Sequence, residues 1–206
     1  MKTLKGHSGE VNGIAALPNG NLASGSTDRT IKIWNTETGK CLQTLIDGHN
    51  LNIGSIISLE DGYIAASSIG KIKIWNVSTG QKVDTWSGNS HRVYSMTLMN
   101  QMGYFATGLE DGTIKIWNRK GINIKTLTGH TKSVINLVSF RDGYLASTSY
   151  DHTVRIWNIN QPKFKPLVIE VSTPRGLAYM SSGFLIIGKR NGEIEIWKIF
   201  TGKLFK

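Results

Sequence analysis

Ile31-Lys32-Ile33-Trp34-Asn35 is the stretch on which the reading of this chain turns, because it returns four more times. It comes back as residues 72–76, 114–118, 154–158 and, ending in lysine, 194–198. The tryptophans at 34, 75, 117, 157 and 197 are spaced 41, 42, 40 and 40 residues apart. A period of this length marks supersecondary units stacked in series. A second signal precedes each tryptophan: Gly6-His7, Gly48-His49, Gly88-Asn89 and Gly129-His130, with Ile169-Glu170 in the fifth unit. A turn pair lies between the two signals: Asn19-Gly20, Asp61-Gly62, Asp142-Gly143 and Ser182-Gly183, with Gln101-Met102-Gly103 in the third unit. Five units, roughly 1–40, 41–81, 82–121, 122–161 and 162–206, use up the chain as a single domain.

Within a unit the apolar residues alternate. In unit four, Val134, Leu137 and Phe140 open the pattern, Tyr144–Thr148 follow the turn, and Val154-Arg155-Ile156-Trp157 alternate strictly. Period-two alternation with β-branched residues between Gly, Asn and Asp turns predicts strands. A weaker fourth strand is expected at 41–45, 82–86, 122–127 and 164–168. The fold class is therefore all-β, in four-stranded antiparallel sheets. Such a sheet cannot bury both faces alone, and radial stacking of several sheets does so. Lys2–Lys5 and Lys203–Lys206 both read as the outer strand of a blade, since Thr201-Gly202-Lys203-Leu204 repeats the pattern of Thr38–Leu42. One ring position cannot hold both. Either five blades close with one terminal strand spare, or the array is open, exposes the apolar flanks of its first and last sheets and associates with another chain.

Composition narrows the function. Hydrophobic residues are 39% and charged residues 18% of the 206, which excludes a disordered tail. Cys41 is the single cysteine, so no intrachain disulfide or cysteine-rich zinc site can form. No apolar run is long enough for a membrane helix, and Met1–His7 reads as no signal peptide, so the cytoplasm is the expected location, with the nucleus also compatible. The 24 Lys+Arg against 14 Asp+Glu give a net charge of +10, which favours encounter with anionic partners.

The Gly-His to Trp arrangement at this period resembles the WD-repeat (WD40) family of β-propellers, over nearly the whole chain. The Asp of the Trp-Asp signature is Asn in units one to four and Lys198 in unit five. The resemblance implies a β-propeller of five four-stranded antiparallel blades, fewer than the family's usual seven. It also implies a buried His, Ser/Thr, Asp and Trp tetrad within each blade. Unit one matches with His7, Ser24, Asp28 and Trp34, and unit four with His130, Ser147, Asp151 and Trp157. Unit three keeps Thr107, Asp111 and Trp117 but has Asn89 for the histidine. Unit two keeps His49 and Trp75, with Ala66 for the hydroxyl and a shorter turn at Ser68-Ile69-Gly70. Unit five keeps Trp197, with Glu170, Ile187 and Asn191 at the other places.

A Ser/His/Asp set also suggests a hydrolase. A nucleophile must be reachable and must have a place for the oxyanion beside it. A set repeated in two blades and tied to an indole reads instead as a buried network that satisfies its own polar groups. No catalytic residue and no cofactor is therefore expected. The histidines at 7, 49, 91, 130 and 152 have no zinc-site spacing, so no metal is expected either. There is no GxxxxGK[ST] loop and no GxGxxG between strand and helix. Lys32, Lys73, Lys115 and Arg155 alternate with apolar residues on the third strands and read as snorkelling side chains. Residues 158–206 hold eight basic and three acidic side chains, without the aromatic interleaving of a nucleic-acid platform.

The resemblance implies a binding face that carries the turns before each Trp strand and the start of each first strand. Counting places Glu10, Asn12, Thr27, Asn52, Gly54, Ser133, Ile135 and Thr173 there, together with Arg92, Tyr94, Glu110, Tyr150, Arg175 and Arg190. Tyr and Arg bring large contact area and several donors, as interface hot spots do. Arg92, Tyr94, Tyr150, Arg175 and Arg190 are thus expected to form an aromatic-basic arc with Glu110 beside it. Such an arc suits acidic or phosphorylated peptide segments. The expected function is a non-catalytic scaffold or adaptor that presents this face to protein partners. The alternative is a binder of nucleic acid or anionic lipid through the basic surface.

Overall fold

The computed structural model describes residues 2–46, 52–99, 103–161 and 163–199. The chain divides into two compact units, Met1–Met96 and Thr97–Lys206.

In the first unit, β1 (Val11–Ala16), β2 (Leu22–Ser26), β3 (Ile31–Trp34) and β4 (Cys41–Leu45) form one antiparallel sheet in sequence order. β5 (Ser55–Ser58), β6 (Tyr63–Ser67), β7 (Ile69–Asn76) and β8 (Lys82–Met99) continue the same meander. Alternation places Ala23, Ile31 and Ile33 on one face of the first sheet. They pack with Ile53, Ile56, Ile64 and Trp75 into one buried cluster. Area bookkeeping puts each fully buried isoleucine at about 1.5–3 kcal/mol.

β8 departs from the expected plan of separate blades. It is one strand of 18 residues that joins the outer strand of unit two to the opening strand of unit three. The cause lies in its partner. The shortened hairpin at Ser68–Lys71, closed by Ser68 N–H donating to Lys71 O at 3.0 Å, starts β7 early at Ile69. β7 therefore extends far enough to pair Ile69 with Arg92 as well as Lys71 with Ser87, across an irregularity in register.

In the second unit, β9 (Tyr104–Leu109), β10 (Ile114–Trp117) and β11 (Asn123–Leu127) pair in order. β12 (Val134–Phe140), β13 (Tyr144–Ser149), β14 (Thr153–Asn158) and β15 (Leu167–Glu170) make a complete four-stranded sheet. β16 (Pro174–Met180), β17 (Phe184–Lys189) and β18 (Ile194–Lys198) make a sheet of three strands among the described residues. The expected fourth, Lys203–Lys206, lies outside the described residues, and Lys2–Lys5 has no strand pairing. β15 sits later than the expected 164–168. Phe164 N–H closes a turn onto Gln161 O at 3.1 Å, and Pro166 has no N–H to give a ladder. The core consists of Ala106, Ile114, Ile116, Val134, Leu145 and Trp157 in one cluster, and of Ala146, Val154, Ile156, Ile169, Leu185 and Ile187 in the next.

Candidate interaction surface

The tetrads fix the turns that carry the candidate surface. In unit four, His130 Nδ1 lies 2.8 Å from Asp151 Oδ2, and His130 Nε2 lies 2.7 Å from Ser147 Oγ. Trp157 Nε1–H donates to that same Ser147 Oγ at 2.9 Å. Unit one repeats the set: His7 to Asp28 at 2.7 Å, His7 to Ser24 at 2.7 Å, and Trp34 to Ser24 at 2.7 Å. One proton arrangement satisfies every group. Nδ1–H donates to the carboxylate, the serine hydroxyl donates to Nε2, and the serine oxygen accepts from the indole. Ser24 and Ser147 are buried, and each hydroxyl is held at both ends, so no substrate carbonyl reaches either oxygen.

The turn aspartates complete the network. Asp151 Oδ1 accepts from Thr153 N and Oγ1 at 2.9 and 2.7 Å, and its Oδ2 accepts from Thr131 N at 3.1 Å. Burial pushes the Asp151 carboxyl up, but hydrogen bonds from Thr153, His130 and Thr131 outweigh it and hold the carboxyl down at about 2. Asp28 follows the same logic, with Thr30, His7 and Ser8 holding it well below the usual carboxylate range against its burial. Burial lowers His130, with Arg155 acting in the same sense against Asp151. The residue after each turn aspartate takes a left-handed φ, 69° at Arg29 and 66° at His152. His152 is therefore a turn residue on the surface. Its Nδ1 accepts from Thr173 N at 3.3 Å.

The other units vary the theme. Trp117 Nε1–H donates to Thr107 Oγ1 at 2.9 Å, and the Asn89 side chain lies outside the described residues, as does His49. In unit five, Trp197 Nε1–H donates to Glu195 Oε2 at 2.9 Å, and Lys189 Nζ donates to Glu195 Oε1 at 2.9 Å. Glu170, Ile187 and Asn191 occupy the other tetrad places in the sequence, and the indole is served instead by Glu195, which shares its face two residues before it on the strand.

The six candidate binding residues separate by unit. In the first, Arg92 Cζ lies 5.0 Å from the Tyr94 ring centroid. In the second, Arg175 Cζ lies 5.2 Å from the Tyr150 ring centroid, and its Nη1 donates to Tyr150 Oη at 3.1 Å. This pair is exposed on an anchored backbone. Tyr150 N donates to Ser133 O at 3.1 Å, and Asn136 Nδ2 donates to Arg175 O at 2.6 Å. Glu110 is exposed and its carbonyl accepts from Ser133 Oγ at 2.9 Å. Arg190 is exposed, with its N–H on Thr173 O at 3.0 Å. Asn12 is turned to a different use, donating to Ile53 O at 2.9 Å.

The other end of the second unit carries an aromatic row beside two lysines. Tyr179 stacks on Phe140 at 4.6 Å, Phe140 on Tyr144 at 5.7 Å, and Phe164 meets Tyr144 edge-on at 5.8 Å. Lys163 and Lys165 flank Phe164 at a hollow of about 740 Å³ that Asn160 and Gln161 also line. The signal was local: Lys163-Phe164-Lys165 stands between Pro162 and Pro166. Among the described residues, no group of three His, Cys, Asp or Glu could hold a metal ion, and no helix is long and apolar enough to cross a membrane.

Comparison with known proteins agrees with the geometry. The family described as "WD domain, G-beta repeat" matches residues 1–35, 80–118 and 121–158, together more than half of the chain. These stretches cover units one, three and four, which keep a hydroxyl and an aspartate at the tetrad positions. Nuclear distribution protein PAC1 of Coccidioides posadasii is 31% identical over 170 residues, 67% of this chain and 36% of its own length. Mitochondrial division protein 1 of Saccharomyces cerevisiae is 32% identical over 135 residues, 65% of this chain and 16% of its own length. The chain thus spans about a third or less of these relatives. The solved structure titled "Structure of U3-55K" superposes with a TM-score of 0.87 at 21% identity, covering 98% of this chain and 65% of that one, which shows a shared fold. With its repeated tetrads and antiparallel four-stranded blades, the chain belongs to the WD-repeat family of β-propellers.

Proposed function

We propose that the chain is a non-catalytic interaction module that presents the tetrad-anchored turns to protein partners. The observation that carries this reading is the Tyr150–Arg175 pair. A guanidinium stacked on an exposed ring, with both backbones tied down, loses little freedom when it meets a ligand. The ligand class that fits is a peptide segment bearing carboxylates or a phosphate, held by charge-assisted hydrogen bonds from Arg175 and by contact with Tyr150. Arg190 and, in the first unit, Arg92 with Tyr94 are proposed as further contacts of the same kind. Fluorescence anisotropy with labelled acidic and phosphoserine peptides tests the reading. Arg175→Ala should weaken binding about tenfold and Arg175→Lys should recover part of it. Equal affinity for wild type and Arg175→Ala would reject the site.

A second reading, a single-stranded nucleic acid partner, is favoured by the Lys163-Phe164-Lys165 hollow and its aromatic row. A base stacks on a half-exposed ring while flanking lysines meet phosphates. Binding of oligo-dT that falls steeply with salt and is lost in Phe164→Ala would support it. No binding at low salt would dismiss it.

A further inference from the structure

The junctions between sheets inside each unit show what a blade face expects to meet, and among the described residues one face of the last sheet lacks it. In the first unit, the cross-strand pair Gly13 and Gly25 makes a saddle on the first sheet. The next sheet fills it. A Cβ on Gly25 would stand 2.5 Å from Ile53 Cγ2 and 2.7 Å from Ile56 Cδ1, and one on Gly13 would stand 2.8 Å from Ile56 N. Ile31 and Ile33 beside the saddle are 0% and 2% exposed.

The last sheet repeats the saddle in the same register. Gly176 pairs with Gly188 one step before Leu177 with Ile187, as Gly13 pairs with Gly25 one step before Ile14 with Ser24. A Cβ on either glycine would meet only the other, at 3.7 to 3.9 Å. Ile194 and Ile196, in the places of Ile31 and Ile33, are 68% and 56% exposed. The corresponding pairs in the other sheets, Ile72 and Ile74, Ile114 and Ile116, and Val154 and Ile156, are buried. Met180 extends the bare apolar face.

The filled saddle also specifies the occupant. Ile56 fills it from a first strand, at the position paired with Ala66, where the tetrad hydroxyl stands in other units. The register-equivalent residue of the first sheet is Ile14, paired with the tetrad Ser24 and 66% exposed. Ile14 on the first sheet and the saddle on the last are thus the two halves of a blade junction, each exposed among the described residues. We propose that Ile14 of one copy seats in the Gly176–Gly188 saddle of a second copy, against Ile194 and Ile196. The contact is head-to-tail and leaves one free half on each end of the pair, so assembly continues with concentration.

Sedimentation velocity from low to high micromolar protein tests this. Wild type should rise above monomer mass. Ile14→Glu and Gly188→Glu, each on an exposed face with an unchanged circular dichroism spectrum, should each remain monomeric. Mixing the two variants should restore a dimer and stop there, because each keeps one intact half. A wild type that stays monomeric throughout, as it would if its faces wait for sheets of another polypeptide or close within the chain, overturns the proposal. So does a mixture of the two variants that remains monomeric while wild type associates.

Discussion

Units four and five solve one problem in two ways. Each must give a partner to the indole N–H of its third-strand tryptophan. Unit four takes Ser147, ten residues away, and through it His130 and Asp151. The network ties the residues before β12 to β13, β14 and the turn between them. Unit five takes Glu195, two residues away on the same strand, with Lys189 as the counter-charge. That answer satisfies the indole but ties only β17 to β18. The difference separates two jobs of a buried polar group, closing its own hydrogen bond and holding distant segments in register. Only the first is needed for folding a strand. The second gives unit four a fixed platform for Tyr150.

The contrast is sharpest under truncation. Trp157 is buried in a core cluster, whereas Trp197 is half-buried at the margin of one. Trp157→Ala should cost about 3–5 kcal/mol in urea unfolding, and Trp197→Ala distinctly less. Equal losses would mean that the two sites are alike. Ser147→Ala removes the acceptor of one buried donor and the donor to His130, and should cost about 2–3 kcal/mol. Glu195→Gln keeps an oxygen for the indole and leaves Lys189 its second partner, Glu193, so it should cost distinctly less than Ser147→Ala. Tyr150 should become more mobile in Ser147→Ala and remain unchanged in Glu195→Gln, read from the exchange rate of its amide.

Much of this was legible before any coordinates. The tryptophan period pointed to the sheets, and the resemblance to the WD-repeat family implied the tetrads of units one and four, whose residues meet as hydrogen-bonded sets. The pairing of Tyr150 with Arg175 was legible only as shared surface. Three features were not. The continuous β8 depends on how far β7 extends, which is a matter of its partner's length. The bare face of the last sheet has the same alternation as a covered one, since periodicity states which residues share a face and not what lies against it. Glu195 serves the indole in unit five because a long side chain reaches locally what a short hydroxyl reaches only across strands. Its place two residues before Trp197 was the available clue.

The smallest expected effect is one of pH, and its sign differs between the two units. His130 is held below its ordinary value by burial, so the stability tied to its neutral form is full above about pH 6.5 and falls as the pH drops through the lower folded value. Asp151 adds to this. Its contribution is complete above the unfolded value of 3.8 and is lost as pH falls toward about 2. Lys189 runs the other way, because the hydrogen bonds it donates to Glu193 and Glu195 raise it, so its contribution is lost only in strong alkali. Indole N–H resonances report each site directly by NMR. The Trp157 signal should broaden or exchange as the pH falls below about 6.5, while the Trp197 signal, whose acceptor is Glu195, holds through that window. If the two indoles lose protection together, the tetrad is no more acid-sensitive than the carboxylate that replaces it. Unit four would then hold its turns by packing alone.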